Sequence, residues 1–172
     1  MSHPYQLIKQ LREAGAVKRC HTHAGPTYNI AEHSFGVVSI LIALMPQRAS
    51  AELLRAALTH DVPERWTGDT PAWAKWASPE LARALEALEE RILASLGLGE
   101  ELTPYEARWL KAADSLELWL WCKEQERLGW TWASAIVENL QGHLGRNPPP
   151  PEVTAFMEWY NLHPGSLPDA LP

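Results

Sequence analysis

The 172-residue chain has 15 lysines and arginines against 21 aspartates and glutamates, a formal net charge of −6 at pH 7. A chain this acidic lacks the basic surface with which proteins attract nucleic-acid polymers or anionic membranes, so neither partner is expected. Its two cysteines, Cys20 and Cys122, have a spacing that indicates neither a disulfide framework nor a zinc knuckle. With no signal-peptide pattern and no membrane-length apolar run, we expect a reduced cytoplasmic setting.

Helical periodicity dominates the sequence, and strand-like alternation of useful length is missing. We therefore predict an all-α fold, a single helical bundle over residues 1–172. The core is expected over about 4–144, followed by a C-terminal helix and tail at 151–172.

The first predicted helix covers residues 4–14 and ends at Gly15. Its inward-facing residues are expected to be Leu7, Ile8 and Leu11. Residues 17–28 are irregular and rich in polar side chains. Asn29 and Glu32 then have the spacing of a capping box, which predicts a helix start.

The next two helices each place a histidine on an apolar face. His33 lies four residues before Val37 on the buried face of the second helix. Ser50 is the expected N-cap of the third. Its apolar face is continued by His60, and Asp61 follows directly.

The second half of the chain is also helical. A loop at 66–71 leads to a short tryptophan-rich helix that contains Lys75, and a longer helix starts at Ser78 and stops at Gly97. Its apolar stripe is predicted to be Leu81, Leu85, Leu88, Ile92 and Leu96. Thr103 begins a long helix that runs to about Leu128. One face of that helix contains Leu110, Asp114, Glu117 and Trp121. Further helices are predicted at about 131–144 and after the prolines at 148–151, before a loose tail from Pro164.

Three separate helices thus place a metal-binding side chain on an apolar face. The four side chains are His33, His60, Asp61 and Asp114. A single histidine in such a place is more often a hydrogen-bonded core residue, and a single aspartate is more often partly exposed. Together, two imidazoles and two carboxylates are typical of a site for Mn, Fe, Co, Ni or Zn, without distinguishing among them.

These residues belong to a longer ordered set. In chain order it comprises Arg19, His33, His60-Asp61, Glu64, the loop Thr67-Gly68-Asp69-Thr70-Pro71, Lys75 and Asp114. With this set the chain resembles the HD-domain phosphohydrolases, in particular the compact branch of 5'-deoxynucleotidases and phage deoxyadenosine-triphosphate hydrolases. The resemblance extends over about residues 18–117.

The resemblance implies a role for each residue of the set. One divalent metal would be held by His33, His60, Asp61 and Asp114. Glu64 would position or deprotonate the attacking water, and Asp69 would lie near the reacting phosphate. Arg19 and Lys75 would contact phosphate oxygens. A second metal would need further histidines between the doublet and Asp114, where the sequence has none.

One position departs from the family pattern. Cys20 stands where members usually carry the tryptophan that shapes the sugar and base pocket, so the sugar and base preference stays open. We expect Cys20 to be a small pocket-wall residue and not a nucleophile, because nothing nearby in the sequence would activate its thiolate. His21 and His23 are either phosphate ligands or simply exposed.

Three functions remain open. Short length and the stretch at 18–22 favour hydrolysis of dATP to deoxyadenosine and triphosphate, in a host cytoplasm if the protein is phage-encoded. The alternatives are a 5'-deoxynucleotidase that acts on deoxynucleoside monophosphates and a metal-bound sensor or scaffold without activity. Nine tryptophans also favour a homo-oligomer. The candidate interface residues are Trp119, Trp121, Trp130 and Trp132.

Overall fold

The computed structural model describes residues 3–163, and this part of the chain folds into helices joined by short loops. The helices are α1 (Pro4–Gly15), α2 (Ile30–Leu44), α3 (Ala51–Thr59), α4 (Glu64–Thr67), α5 (Ala72–Ala77), α6 (Pro79–Leu96), α7 (Pro104–Arg127), α8 (Trp132–Arg146) and α9 (Pro151–Leu162). Among these residues the one β-type pairing is an isolated bridge between Lys18 and Asn29. The all-α prediction is confirmed.

Helix boundaries follow local capping chemistry. Asn29 and Glu32 form the predicted capping box at the start of α2, and Thr103 and Glu106 form another at α7. The side chain of Ser50 accepts a hydrogen bond from the backbone of α3, as expected for an N-cap. These bonds occupy backbone N–H groups that a helix start otherwise leaves unpaired.

The main core forms around α7, which packs against α2, α3, α8 and α9. Trp109, Leu116 and Trp119 on α7 are at most 1% exposed. Val153 on α9 is fully buried in the same core, so the C-terminal helix is packed against the bundle. Because Trp119 lies inside this core, its prediction as an interface residue is wrong.

A second, smaller core joins α1 to the end of α6. It consists of Ala14, Val62, Leu96 and Leu98, with Leu7, Leu11, Ile92 and Leu93 packed around them. Ile8 is 57% exposed, so its predicted inward orientation is wrong. The predicted stripe of α6 is also only partly buried, with Leu81 40% exposed, because the first turns of α6 pack mainly on the short helix α5.

Two further predictions concern the C-terminal tail and the absence of membrane-spanning helices. The tail predicted to be loose from Pro164 lies outside the described residues. None of the helices in residues 3–163 combines the length and the apolar character that crossing a bilayer requires.

Candidate active site

The two histidines singled out in the sequence lie side by side. His33 is fully buried on the face of α2 that packs against α7, and His60 follows the last turn of α3. Their Nε2 atoms are 3.3 Å apart. Two imidazole nitrogens from different helices therefore point at one place in the bundle.

Two carboxylates meet this histidine pair. Asp61 places Oδ1 3.4 Å from Nε2 of His60 and Oδ2 3.5 Å from Nε2 of His33. Asp114, from the middle of α7, places Oδ1 3.1 Å from Nε2 of His33 and 3.9 Å from Nε2 of His60. The structure thus brings together all four side chains that the sequence assigns to a metal.

The chemistry of this cluster fits a divalent cation. Donor atoms of His33, His60 and Asp61 all lie within 4.8 Å of one another, and Asp114 adds a further oxygen. Burial lowers the pKa of His33, but hydrogen bonds with Asp114 and Glu117 raise it to about 9. Burial raises the pKa of Asp114, yet His33 and His60 hold it well below its ordinary value. The cluster therefore attracts positive charge, which a proton or a metal supplies.

Each histidine is oriented through its other nitrogen. His60 Nδ1 donates to the backbone oxygen of Ala57 at 2.9 Å. His33 Nδ1 donates to the carboxylate of Glu117, which also accepts from the Tyr28 hydroxyl. Glu117 lies on the same face of α7 as Asp114, one turn later, as the sequence predicts, but the sequence indicated no role for it.

Arg19 is a buried cation beside the cluster, with its side chain only 9% exposed. Its Nη1 donates to Oδ2 of Asp61 and lies 4.0 Å from Oε1 of Glu64. Its Nε is buried, and no hydrogen-bond partner for it occurs among the described residues. Arg19 therefore balances the carboxylates and keeps one donor available.

Glu64, the first residue of α4, is 6% exposed. Its Oε2 is buried and has no hydrogen-bond partner within residues 3–163. Burial and the neighbouring Asp61 raise the pKa of Glu64 to about 8. A buried carboxylate oxygen without a partner is costly, and such atoms in native structures commonly face a ligand or water.

Asp69 binds the backbone of the loop between α1 and α2, which contains Arg19. Gly68 ends α4 with φ +73°, a left-handed conformation that favours glycine. Asp69 then accepts a hydrogen bond from the backbone N–H of Cys20 at 3.0 Å and lies 3.6 Å from Nδ1 of His21. Burial and Asp69 raise the pKa of the Cys20 thiol to about 11, which favours the protonated thiol at neutral pH.

A cavity of about 460 Å³ opens from this cluster. Seven of the residues assigned in the sequence line it, namely Arg19, Cys20, Asp61, Glu64, Asp69, Lys75 and Asp114. His21 does not line the cavity, whereas His23 does, with its ring stacked on Trp132 at 4.6 Å. Of the two loop histidines, His23 is therefore the one with access to a ligand.

Other cavity residues had no sequence assignment. Lys111 lies one turn before Asp114 on α7, and Glu86 and Glu89 project from α6. Lys75 Nζ is 3.9 Å from Oε1 of Glu89, so one of the two cavity lysines is paired with an acid. The apolar part of the wall includes Leu118, Ile136 and Leu140.

Comparison with known proteins places this geometry in a family. Residues 6–162 match the profile of the family described as 5'-deoxynucleotidase YfbR-like. The chain belongs to that family. The prediction of an HD-domain phosphohydrolase is confirmed, and with it the prediction of an enzyme. The alternative of an inactive sensor or scaffold is therefore not supported.

Individual relatives agree with this placement. A 5'-deoxynucleotidase of Shewanella oneidensis is 30% identical over 157 residues, covering 78% of this chain and 80% of that protein. The HD phosphohydrolase DatZ of cyanophage S-2L, solved with dA and one catalytic Zn²⁺ ion, matches with a TM-score of 0.67 and 22% identity over 94% of this chain and 96% of DatZ. A conserved hypothetical protein of Pyrococcus furiosus matches with a TM-score of 0.69 and 21% identity over 92% and 99% of the two chains. With sequence identities of 22% and 21%, DatZ and the Pyrococcus protein show that this chain shares their fold.

Proposed function

We propose that this protein is a metal-dependent 5'-deoxynucleotidase that hydrolyses deoxynucleoside monophosphates to deoxynucleoside and phosphate. The observation that carries the proposal is the convergence of two imidazoles and two carboxylates within 3.1–3.9 Å at the end of a cavity. The family of the chain and the name of its Shewanella relative support the same reaction.

His33, His60, Asp61 and Asp114 are the residues that would hold the metal. When bound, a divalent metal polarises a phosphoryl oxygen and lowers the pKa of water, which makes a nucleophile available at neutral pH. The sequence resemblance indicated a single metal of unspecified type. The Zn²⁺ ion in DatZ makes zinc the first ion to test.

The remaining charged residues would act on the substrate. Arg19 donates to phosphate oxygens, and its unpaired Nε supplies a further donor in a site that is otherwise acidic. Glu64, in the ionised form that the charge of a bound divalent cation would favour, would take a proton from the attacking water through its unpaired Oε2. The water oxygen forms the new bond to phosphorus and the bond between phosphorus and O5' breaks. The proton that Glu64 took from the water balances the proton that O5' gains as it leaves as the alcohol.

The charge of the cavity favours a monophosphate over a triphosphate. Glu86 and Glu89 stand in the wall beyond the cluster, and Glu89 lies next to Lys75. An additional two phosphates would meet these carboxylates, and like charges repel. The apolar surface of Leu118, Ile136 and Leu140 suits a sugar and base better than a phosphate chain.

Hydrolysis of dATP to deoxyadenosine and triphosphate is the second candidate. It is favoured by Lys75 and Lys111, which line the same cavity as Arg19. Three cations are more than a monophosphate requires. DatZ was solved with bound dA, and the similarity of this chain to it also supports adenine nucleotides as substrates.

Product analysis separates the two candidates. Metal-free protein is loaded with Zn²⁺, Mn²⁺ or Co²⁺ and incubated with dAMP, AMP and dATP, and the products are identified by chromatography. We expect phosphate and deoxyadenosine from dAMP, with little reaction of AMP. Triphosphate released from dATP by a protein that leaves dAMP intact would support the second candidate and contradict the first.

A further inference from the structure

Glu117 forms a hydrogen bond with His33, one of the four candidate metal ligands. The hydrolysis proposed above gives Glu117 no role of its own. Its Oε2 accepts from Nδ1 of His33 and from the hydroxyl of Tyr28, and its side chain is 12% exposed. Tyr28 is 2% exposed, and its oxygen is also 3.0 Å from Nδ1 of His33. The largely buried carboxylate of Glu117 thus accepts hydrogen bonds from one imidazole and one hydroxyl.

The space for this carboxylate exists because residue 36 is glycine. A Cβ atom at Gly36 would lie 2.6 Å from Cγ and 2.9 Å from Oε1 of Glu117. Gly36 sits inside α2, where glycine is a poor helix former and a left-handed conformation is not required. Its lack of a side chain therefore serves the close approach of Glu117.

Tyr28 is held in place from the other side. Its ring stacks on Trp121 with 4.3 Å between ring centres and 12° between planes. Trp121 lies one turn after Glu117 on α7. The same helix therefore supplies the ring that stacks on Tyr28 and the carboxylate that accepts from its hydroxyl.

We propose that Glu117 is a positioning residue that holds the His33 ring in the orientation for metal binding. Gly36 supports it by leaving space for its side chain, and Tyr28 supports it by donating a hydrogen bond to its carboxylate. A carboxylate without a proton only accepts hydrogen bonds, so Nδ1 of His33 carries a proton that it donates to Glu117. Nε2, 3.1 Å from Oδ1 of Asp114, would then offer its lone pair to a metal that displaces the proton shared with Asp114. Carboxylate partners of this kind fix ring orientation and make the imidazole a stronger ligand. The inference rests on the metal site of the proposed function.

Metal affinity of the full-length protein provides the test. Zn²⁺ and Co²⁺ dissociation constants are measured by competition with a chromogenic chelator for the wild type, Glu117→Gln, Glu117→Asp and Tyr28→Phe. We expect Glu117→Gln to bind metal about 10- to 100-fold more weakly, as loss of such partners commonly does. Glu117→Asp, which keeps the carboxylate, should recover part of the affinity, and Tyr28→Phe should lose less than Glu117→Gln.

Two comparisons distinguish positioning from a general effect on folding. Glu124→Gln removes the same charge from an exposed position of α7 and should leave metal affinity unchanged. Gly36→Ala should weaken metal binding by displacing Glu117, and adding it to Glu117→Gln should cause little further loss, because both changes break one contact. Thermal melting of each metal-free variant reports any purely structural cost.

The outcomes separate this inference from the proposed function. A wild type that binds one metal and hydrolyses a deoxynucleotide, together with a Glu117→Gln variant of unchanged metal affinity, would overturn the positioning role and leave the function intact. A wild type that binds no divalent metal would overturn both. Fully additive effects of Gly36→Ala and Glu117→Gln would show that the glycine does not act through Glu117.

Discussion

The guanidinium of Arg19 forms an ion pair with Asp61, the second residue of the His-Asp doublet, and the two side chains are only 9% and 16% exposed. The pair links the irregular loop before α2 to the end of α3. Arg19 engages Oδ2 of Asp61, while Oδ1 lies 3.4 Å from Nε2 of His60. One carboxylate thus contacts both the buried guanidinium of Arg19 and the histidine pair.

Replacing Asp61 should therefore have two effects. Asp61→Ala should abolish metal binding and hydrolysis, and it should also destabilise the metal-free protein, because the buried Arg19 loses its hydrogen-bonded partner and keeps only Glu64, 4.0 Å away. Removing one member of a buried pair typically costs about 3–5 kcal/mol. Metal content by elemental analysis and urea unfolding in the presence of a chelator measure the two effects. Stoichiometric metal in Asp61→Ala would contradict the proposed ligand set.

Glu64 is expected to be needed for turnover and not for metal binding. Its Oε2 has no partner among the described residues, and the cluster already has donors from four other side chains. Glu64→Gln keeps the shape of the side chain but removes the base, so kcat should fall by about 10²- to 10⁴-fold. Metal content of the same sample is the control. A metal-loaded Glu64→Gln protein with nearly normal turnover would refute the role.

The cavity lysines should discriminate between substrates of different charge. Lys75→Ala and Lys111→Ala should lower kcat/KM for dATP more than for dAMP, because a monophosphate can be bound by Arg19 and the metal without them. Each charge-assisted contact contributes about 1.5–3 kcal/mol. Arg83→Ala, at an exposed position of α6, is a control for loss of one surface cation. Equal losses on both nucleotides would argue against any polyphosphate subsite.

Cys20 should behave as an unreactive thiol. Burial and Asp69 raise its pKa to about 11, so at neutral pH the nucleophilic thiolate is scarce. We expect slow reaction with Ellman's reagent at neutral pH and a steep rise in rate as the pH approaches 11. Cys122 is fully buried and its pKa is also raised, so it should not interfere. A fast reaction at neutral pH, removed by Cys20→Ser, would contradict this expectation.

Association into homo-oligomers stays a prediction, with a changed set of candidate residues. Trp119 is buried within the subunit and Trp121 is stacked on Tyr28, whereas Trp73 and Trp130 are 64% and 37% exposed. Light scattering at micromolar concentration should give a multiple of the 19.3 kDa chain mass. A single-chain mass at that concentration would count against association.

Local sequence signals predicted much of the fold. The capping boxes at Asn29 and Thr103 depend on residues three positions apart, so they can be recognised without knowing any tertiary contact. The burial of His33 followed in the same way from its position on the apolar face of one helix. The orientation of Ile8 and the exposure of Leu81 could not be predicted, because they depend on which helices lie nearby.

The site shows the same division between local and long-range information. His60, Asp61 and Glu64 lie within one stretch of sequence and were assigned together. Glu117 was missed because its role depends on His33, 84 residues earlier, and on the space at Gly36. Lys111 was missed because it is a solvent-exposed lysine on a helix, the usual place for this residue, and only the packing of α7 shows that it also lines the cavity.

The most direct measurement is a metal titration of the chelator-treated protein in which bound metal and phosphate release from dAMP are followed on the same samples. A single metal site built from His33, His60, Asp61 and Asp114 predicts that activity rises in proportion to bound metal and saturates at one ion per chain. Hydrolysis that persists without metal, or metal that binds stoichiometrically without producing any hydrolysis, would contradict it.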